Sequence, residues 1–444
     1  MCKRWLIVLL IVVTSAMFRC WAQQFPASSQ EATVDQSGGS NANDFRPLSG
    51  AQPISLGLGA PQQLAISLAA SQLWNSNLTG GVNNLKGWYP GYSFGGSLQL
   101  SLEKASSQTT LNYSGNGIDY PDRDPALLTY QNLNFSQSFR VGRWGFTAAD
   151  SFNYSPNSPF GGYGFGLPTN ASFTGQPVLS PQNVPNQSIL TPYVDSFYNS
   201  VMGQVQYGIT PRSSWTASAS YGLLRFPDSS LSNTNQITAS VGYNYALSAK
   251  DSIAVTDMYS HFQYTDFESS FWSDTIQLGY SHRLNGRLAL QLSGGPNVTN
   301  TTNLGIAQRD VRFGGTGALL YSKARTSLAL SGFAGTTSGS GVLNGANTQS
   351  GQFSVTHGFS TTWTTAVALG YSHNSGLVQG ESYNTIFISP NMRRAITRNL
   401  GVNFNYTYQR QLSNVSCIGA NCANVSGSII SFGVDYKFRP IRLE

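Results

Sequence analysis

Four histidines (His261, His282, His357 and His373) and four cysteines (Cys2, Cys20, Cys417 and Cys422) are the side chains best suited to metal, nucleophilic or redox chemistry. No histidine pair has the HExxH spacing that places two imidazoles on one helix face, so a zinc hydrolase lacks its ligands. Cys417 and Cys422 lie in a polar segment without a neighbouring His or carboxylate, and their spacing is not CxxC. In an oxidising compartment such a pair reads as a loop disulfide, not a metal or redox site. His373 and Ser375 stand two apart, which in a strand puts them on one face. An imidazole there is placed to take a serine proton. The plainer reading is a rim histidine beside a loop serine. The sequence therefore points to no enzyme, no metal and no cofactor.

Charge is scarce. Lys, Arg, Asp and Glu make up 10% of the 444 residues, aromatics 12%, and there are 46 glycines. Soluble domains carry about a quarter charged residues. The net charge of +6 comes from basic residues scattered singly at turns, not gathered in a stripe, which excludes nucleic acid as a partner.

The first 22 residues have the form of an export signal. Lys3 and Arg4 precede a short apolar run, Trp5 to Val13, with a cleavage site after Ala22. That run is well short of the ~20 residues of a spanning helix. Residues 23–62, rich in Ser, Gln, Gly and Asn, read as a flexible periplasmic lead-in.

From there to Phe438 the chain repeats one pattern, a run of alternating character followed by a break. In Leu400, Val402, Phe404, Tyr406 and Tyr408 the apolar face alternates with Asn403, Asn405, Thr407 and Gln409. Trp215–Leu223, Ile237–Tyr245 and Trp363–Tyr371 behave alike. A period of two is the period of a strand. Three features place these strands in a membrane: short breaks alternate with longer ones, aromatics stand at both ends of the apolar faces, and the polar faces carry small neutral residues. The expectation is an all-β chain, a transmembrane antiparallel up-and-down barrel of about eighteen strands (16–18) over residues 63–444, with both ends periplasmic.

The last run, Ile430, Phe432, Val434, Tyr436 and Phe438, resembles the C-terminal assembly signal of bacterial outer-membrane proteins, whose final strand alternates hydrophobics and usually closes on Phe. The tail Arg439–Glu444 displaces it from the terminus. The resemblance is to porin-like outer-membrane barrels and to no specific transporter family. It implies the bacterial outer membrane as location, with its lipid and its assembly machinery as partners. The His373–Ser375 pair is similar to the His-x-Ser of outer-membrane phospholipases, although Gly376 follows directly where an Asn-Gly context is expected.

A barrel of this size encloses an aqueous channel unless loops fill it. The sparse inward charges Glu103, Arg140, Arg283, Arg312, Asp435, Lys437 and Arg439 are candidate pore-lining residues. The longest break, Ser155–Pro192, is uncharged and carries Phe160, Tyr163 and Phe165 as a candidate constriction or outer cap. The functional expectation is passive passage of small, largely neutral solutes, including sugars. The competing reading is a structural or surface-interaction barrel with a loop-filled lumen. Polysaccharide transport ranks below both, and the oligomeric state is open.

Overall fold

The computed structural model describes residues 62–443, except 78–86, 105, 122–126, 157–187, 192–193, 228–230, 267–268, 286, 304–305, 379 and 415–423. The expected disulfide at Cys417 and Cys422, the aromatics Phe160, Tyr163 and Phe165, and the export signal all fall outside the described residues.

Eighteen long strands follow one another in chain order. The first six are β1 (Gln63–Asn75), β2 (Tyr89–Lys104), β3 (Ser107–Asp119), β4 (Leu127–Val141), β5 (Trp144–Ser155) and β6 (Ser196–Thr210). Then come β7 (Ser213–Arg225), β8 (Thr234–Ala246), β9 (Asp251–Tyr264), β10 (Ser269–Asn285), β11 (Leu288–Asn303) and β12 (Ile306–Lys323). The last six are β13 (Thr326–Thr337), β14 (Ala346–Gly358), β15 (Trp363–Gly376), β16 (Ser382–Ala395), β17 (Leu400–Ser413) and β18 (Val425–Lys437). Each pairs antiparallel with the next, and β18 closes the ring on β1, from Ser67 opposite Lys437 to Asn75 opposite Ile429. The tail adds a two-residue strand, β19 (Ile441–Arg442), opposite Gln63 and Leu64. Closure leaves no free sheet edge along the seam, as a bilayer requires of a spanning sheet.

Alternation sets the two faces. On β8, Ile237 and Val241 are each 51% exposed on the outside, while Gln236, Thr238 and Ser240, which alternate with them, are buried. Aromatics ring the outer surface: Trp144 packs on Tyr207 at 4.6 Å and Trp215 on Tyr243 at 5.4 Å towards the short-turn end. Tyr259 stacks on Trp272 at 6.2 Å towards the other. Such belts suit the two membrane–water interfaces.

The strand count matches the sequence reading, but the loop lengths need one correction. Two connections at the long-loop end are short, residues 265–268 and 304–305, because β10, β11 and β12 run to 17, 16 and 18 residues. The top of β12 also outruns its neighbour. β12 pairs with β13 only below Gly315, while it follows β11 to Ile306. Above that point β13 turns inward, bringing Thr336 Oγ1 within 2.9 Å of Thr299 Oγ1 on the inner face of β11. This turn carries the following loop, residues 338–345, into the barrel.

Candidate functional site: a plug in the outer mouth

The inner face gathers large apolar side chains near the long-loop ends of the strands. There it carries Leu73, Ile118, Leu128, Leu224, Phe262, Phe271, Tyr383 and Phe387, all buried. Burying such side chains on the inside of a barrel requires apolar partners within the lumen. Two connections supply them.

The first is the loop between β13 and β14. It enters through a 3-10 turn, Gly339–Gly341, and all three of these residues are buried. Gly341 sits at φ +73°, and a Cβ there would lie 2.2 Å from the Phe226 ring, so only glycine fits. Tyr264 Oη donates to Ser338 O at 2.9 Å, and Ser232 N–H donates to Gly341 O at 2.8 Å. Val342 and Leu343 project from this loop. Leu343 packs with Ile189, Ala346 and Tyr383, while Val342 touches that cluster and also the cluster of Leu224, Phe226 and Leu231. Leu224 is on β7 and Tyr383 on β16, half the ring apart, so apolar contact crosses the lumen from wall to wall.

The second is a strap, Ser188–Thr191, the described end of the long connection between β5 and β6. All four residues are buried. Ser188 Oγ donates to Asn374 Oδ1 at 2.7 Å, and Ser372 Oγ donates to Ser188 O at 3.2 Å. Ile189 N–H donates to Ser340 Oγ at 3.3 Å. Gln411 holds Leu190 from both sides, accepting its N–H at 2.7 Å and donating to its carbonyl at 3.2 Å. Thr385 Oγ1, donating to Gln411 Oε1 at 3.1 Å, fixes that amide. The Leu190 side chain fills a space between Phe387 and Val425. The strap leaves the β5–β6 side and docks on β15 and β17, across the barrel. Burial of Ile189 and Leu190 stabilises it by roughly 3–6 kcal/mol. Ordering four backbone residues costs about 4–8 kcal/mol. Hydrogen bonds at about 1 kcal/mol each therefore decide whether the strap stays.

The inner half differs. Arg393 donates to Asp435 through Nε at 3.1 Å and Nη2 at 2.7 Å, a bidentate pair. It spans β17 at Gly401, where a Cβ would lie 2.6 Å from Arg393 Nη2. Asp435 and Lys437 are on the inner face of β18, and Glu103, Arg140 and Arg283 share the inner parity near the short-turn ends of β2, β4 and β10. Arg312 also has inner parity but lies in the upper part of β12, paired with Asp310 at 2.5 Å and more than half exposed. Arg439 falls between β18 and β19 and is exposed. Asp435 has an ion-pair partner across the inner wall, and that partner, Arg393, escaped the sequence reading. Arg393 directly follows the outward-facing Met392 and shares the inner parity of Asn391.

The remaining candidates separate. His373 Nδ1 lies 2.8 Å from Asn384 Oδ1, so its imidazole engages an amide on the outer face, not Ser375. No group of three or more His, Cys, Asp or Glu placed to hold a metal occurs among the described residues. Ile430, Phe432, Val434, Tyr436 and Phe438 lie on the outer face of the closing strand and just beyond it; the last four are exposed.

A closed antiparallel ring, apolar outside, polar within, with short turns at one rim, has the architecture of a porin-like outer-membrane barrel. No protein-family model and no curated protein matches the chain. Similar solved structures include OccK2 (OpdF) of Pseudomonas aeruginosa, at 11% identity over 85% of this chain and 97% of that chain, TM-score 0.43. OpdK of the same organism shows 11% identity over 86% and 100%, TM-score 0.42. The FrpB iron transporter of Neisseria meningitidis shows 9% identity over 86% and 82%, TM-score 0.39. Likeness at this level adds nothing to what the barrel's own geometry provides.

Proposed function

We propose that the protein is a gated conduit for small, largely neutral solutes, closed at its outer mouth by the strap and the 338–345 loop. The observation that carries this reading is the contrast inside the lumen. Ser, Thr, Asn and Gln predominate on the inner wall, whereas, among the described residues, apolar side chains meet across the lumen at the outer end. A neutral polar lining suits uncharged solutes, and the few inner charges, including Arg393 paired with Asp435, set at most a mild preference. Export through residues 1–22, a lead-in at 23–62 and a Cys417–Cys422 loop disulfide belong to the same reading.

Planar-bilayer recording tests it. A conduit gives discrete current steps, rare in the native protein and frequent when the strap is weakened. Sugars, as the finer choice of solute, require that high concentrations of oligosaccharide reduce that conductance. The plug also favours a second reading, a structural barrel sealed for good, in which weakening the strap leaves the membrane silent. Lipase activity lost on Ser375→Ala would instead indicate an enzyme; the expected rate is background for both proteins.

A further inference from the structure

We infer that the strap occupies a built peptide site, and that the solute this lumen selects is a short uncharged peptide carrying two adjacent aliphatic side chains. The inference rests on the conduit reading and names its substrate class.

The inner wall and the 338–345 loop together treat residues 188–190 as a ligand. Main-chain groups are read directly: Gln411 both accepts from Leu190 N–H and donates to Leu190 O, Ser372 donates to Ser188 O, and Ser340 accepts from Ile189 N–H. An amide that answers both polar groups of one residue is matched to a peptide unit. Side chains are read separately. Leu190 enters the Phe387–Val425 space, and Ile189 enters that of Leu343, Ala346 and Tyr383. The polar readers are themselves held in place before any ligand arrives. Thr385 bonds Gln411, and Thr348 donates to Asn374 at 2.8 Å while Asn374 Nδ2 donates to Ser372 Oγ at 3.3 Å. Preorganisation of this kind lowers the ordering cost of a ligand. Every one of these contacts is neutral, so a charged side chain at either aliphatic position would be buried without a counter-charge. The strap is then a tethered competitor, and a free peptide binds when the strap leaves.

The test uses the full chain in detergent and fluorescence anisotropy of labelled Ser-Ile-Leu-Thr, blocked at its C-terminus as the amide. The native barrel should bind it weakly. Ile189→Gly/Leu190→Gly, which empties both apolar spaces, should bind at least tenfold more tightly, and Leu190→Ala alone should shift binding in the same direction by less. Adding Gln411→Leu to the double variant should remove the gain, and the labelled control Ser-Asp-Asp-Thr amide should not bind. Heat-modifiable gel mobility identifies folded barrel in each case. Equal binding by the native and strap-weakened proteins, or a gain that survives Gln411→Leu, would overturn the peptide site. The two readings fail separately. Current steps without peptide binding would remove only the substrate class, and peptide binding without current steps would remove the conduit.

Discussion

The two halves of the lumen are built from the same strands but by different rules. In the inner half the inner face is largely polar, with charges near the short-turn rim, and it carries a bidentate ion pair, Arg393 with Asp435, spanning a glycine of the intervening strand. In the outer half the same face adds buried apolar side chains among the polar ones, and two connections fold in to cover them. A closed barrel needs only its backbone ladder and its apolar exterior to stand in a membrane. The outer cluster is therefore surplus to the fold, and its removal should change passage before it changes the barrel.

That contrast can be broken at the strap. Ile189→Gly/Leu190→Gly removes the apolar contribution of roughly 3–6 kcal/mol that holds it. Time-averaged bilayer conductance should rise by at least about tenfold, with gel mobility of the folded barrel unchanged. The next largest effect is expected from Gly341→Val. The positive φ and the Phe226 ring oppose any side chain there, at a cost of about 1–3 kcal/mol. Faster proteolysis of the outer loops and a smaller rise in conductance should follow.

The inner half offers the sharper control. Asp435→Asn leaves the Arg393 guanidinium without its carboxylate and should move the reversal potential towards anion preference, by about two- to threefold in permeability ratio, without altering how often the pore opens. If it opens the barrel instead, the halves are not independent. The smallest effect on conduction is expected from Phe438→Ala beyond the closing strand. It should lower the amount of folded barrel recovered from membranes and leave unit conductance unchanged.

Much of the barrel was legible because alternation is a local property. Ile237 and Val241 against Gln236 and Thr238 announce two faces whatever lies elsewhere in the chain. The closing strand was readable for the same reason, and so was its partner end at the start of β1. In β16 the alternation is weaker, for a plain reason. Pro390 interrupts its ladder towards β17, which pairs at Ile388 and resumes at Asn391. The plug was not legible. Leu190 and Gln411 are far apart in the chain, and nothing near either announces the other. The signal that existed was subtler: inner-parity positions turned apolar at Leu224, Phe262, Phe271, Tyr383 and Phe387, always near the long-loop end. An apolar residue on a lumen face needs a partner, and that requirement alone points to inserted loops.

Single-channel recording of the native protein beside Ile189→Gly/Leu190→Gly tests the central claim most directly. A plug held by the strap predicts long closed intervals with rare steps in the native barrel, and frequent steps of the same unit size in the variant. Sustained ohmic current in the native protein, equal to that of the variant, would contradict it.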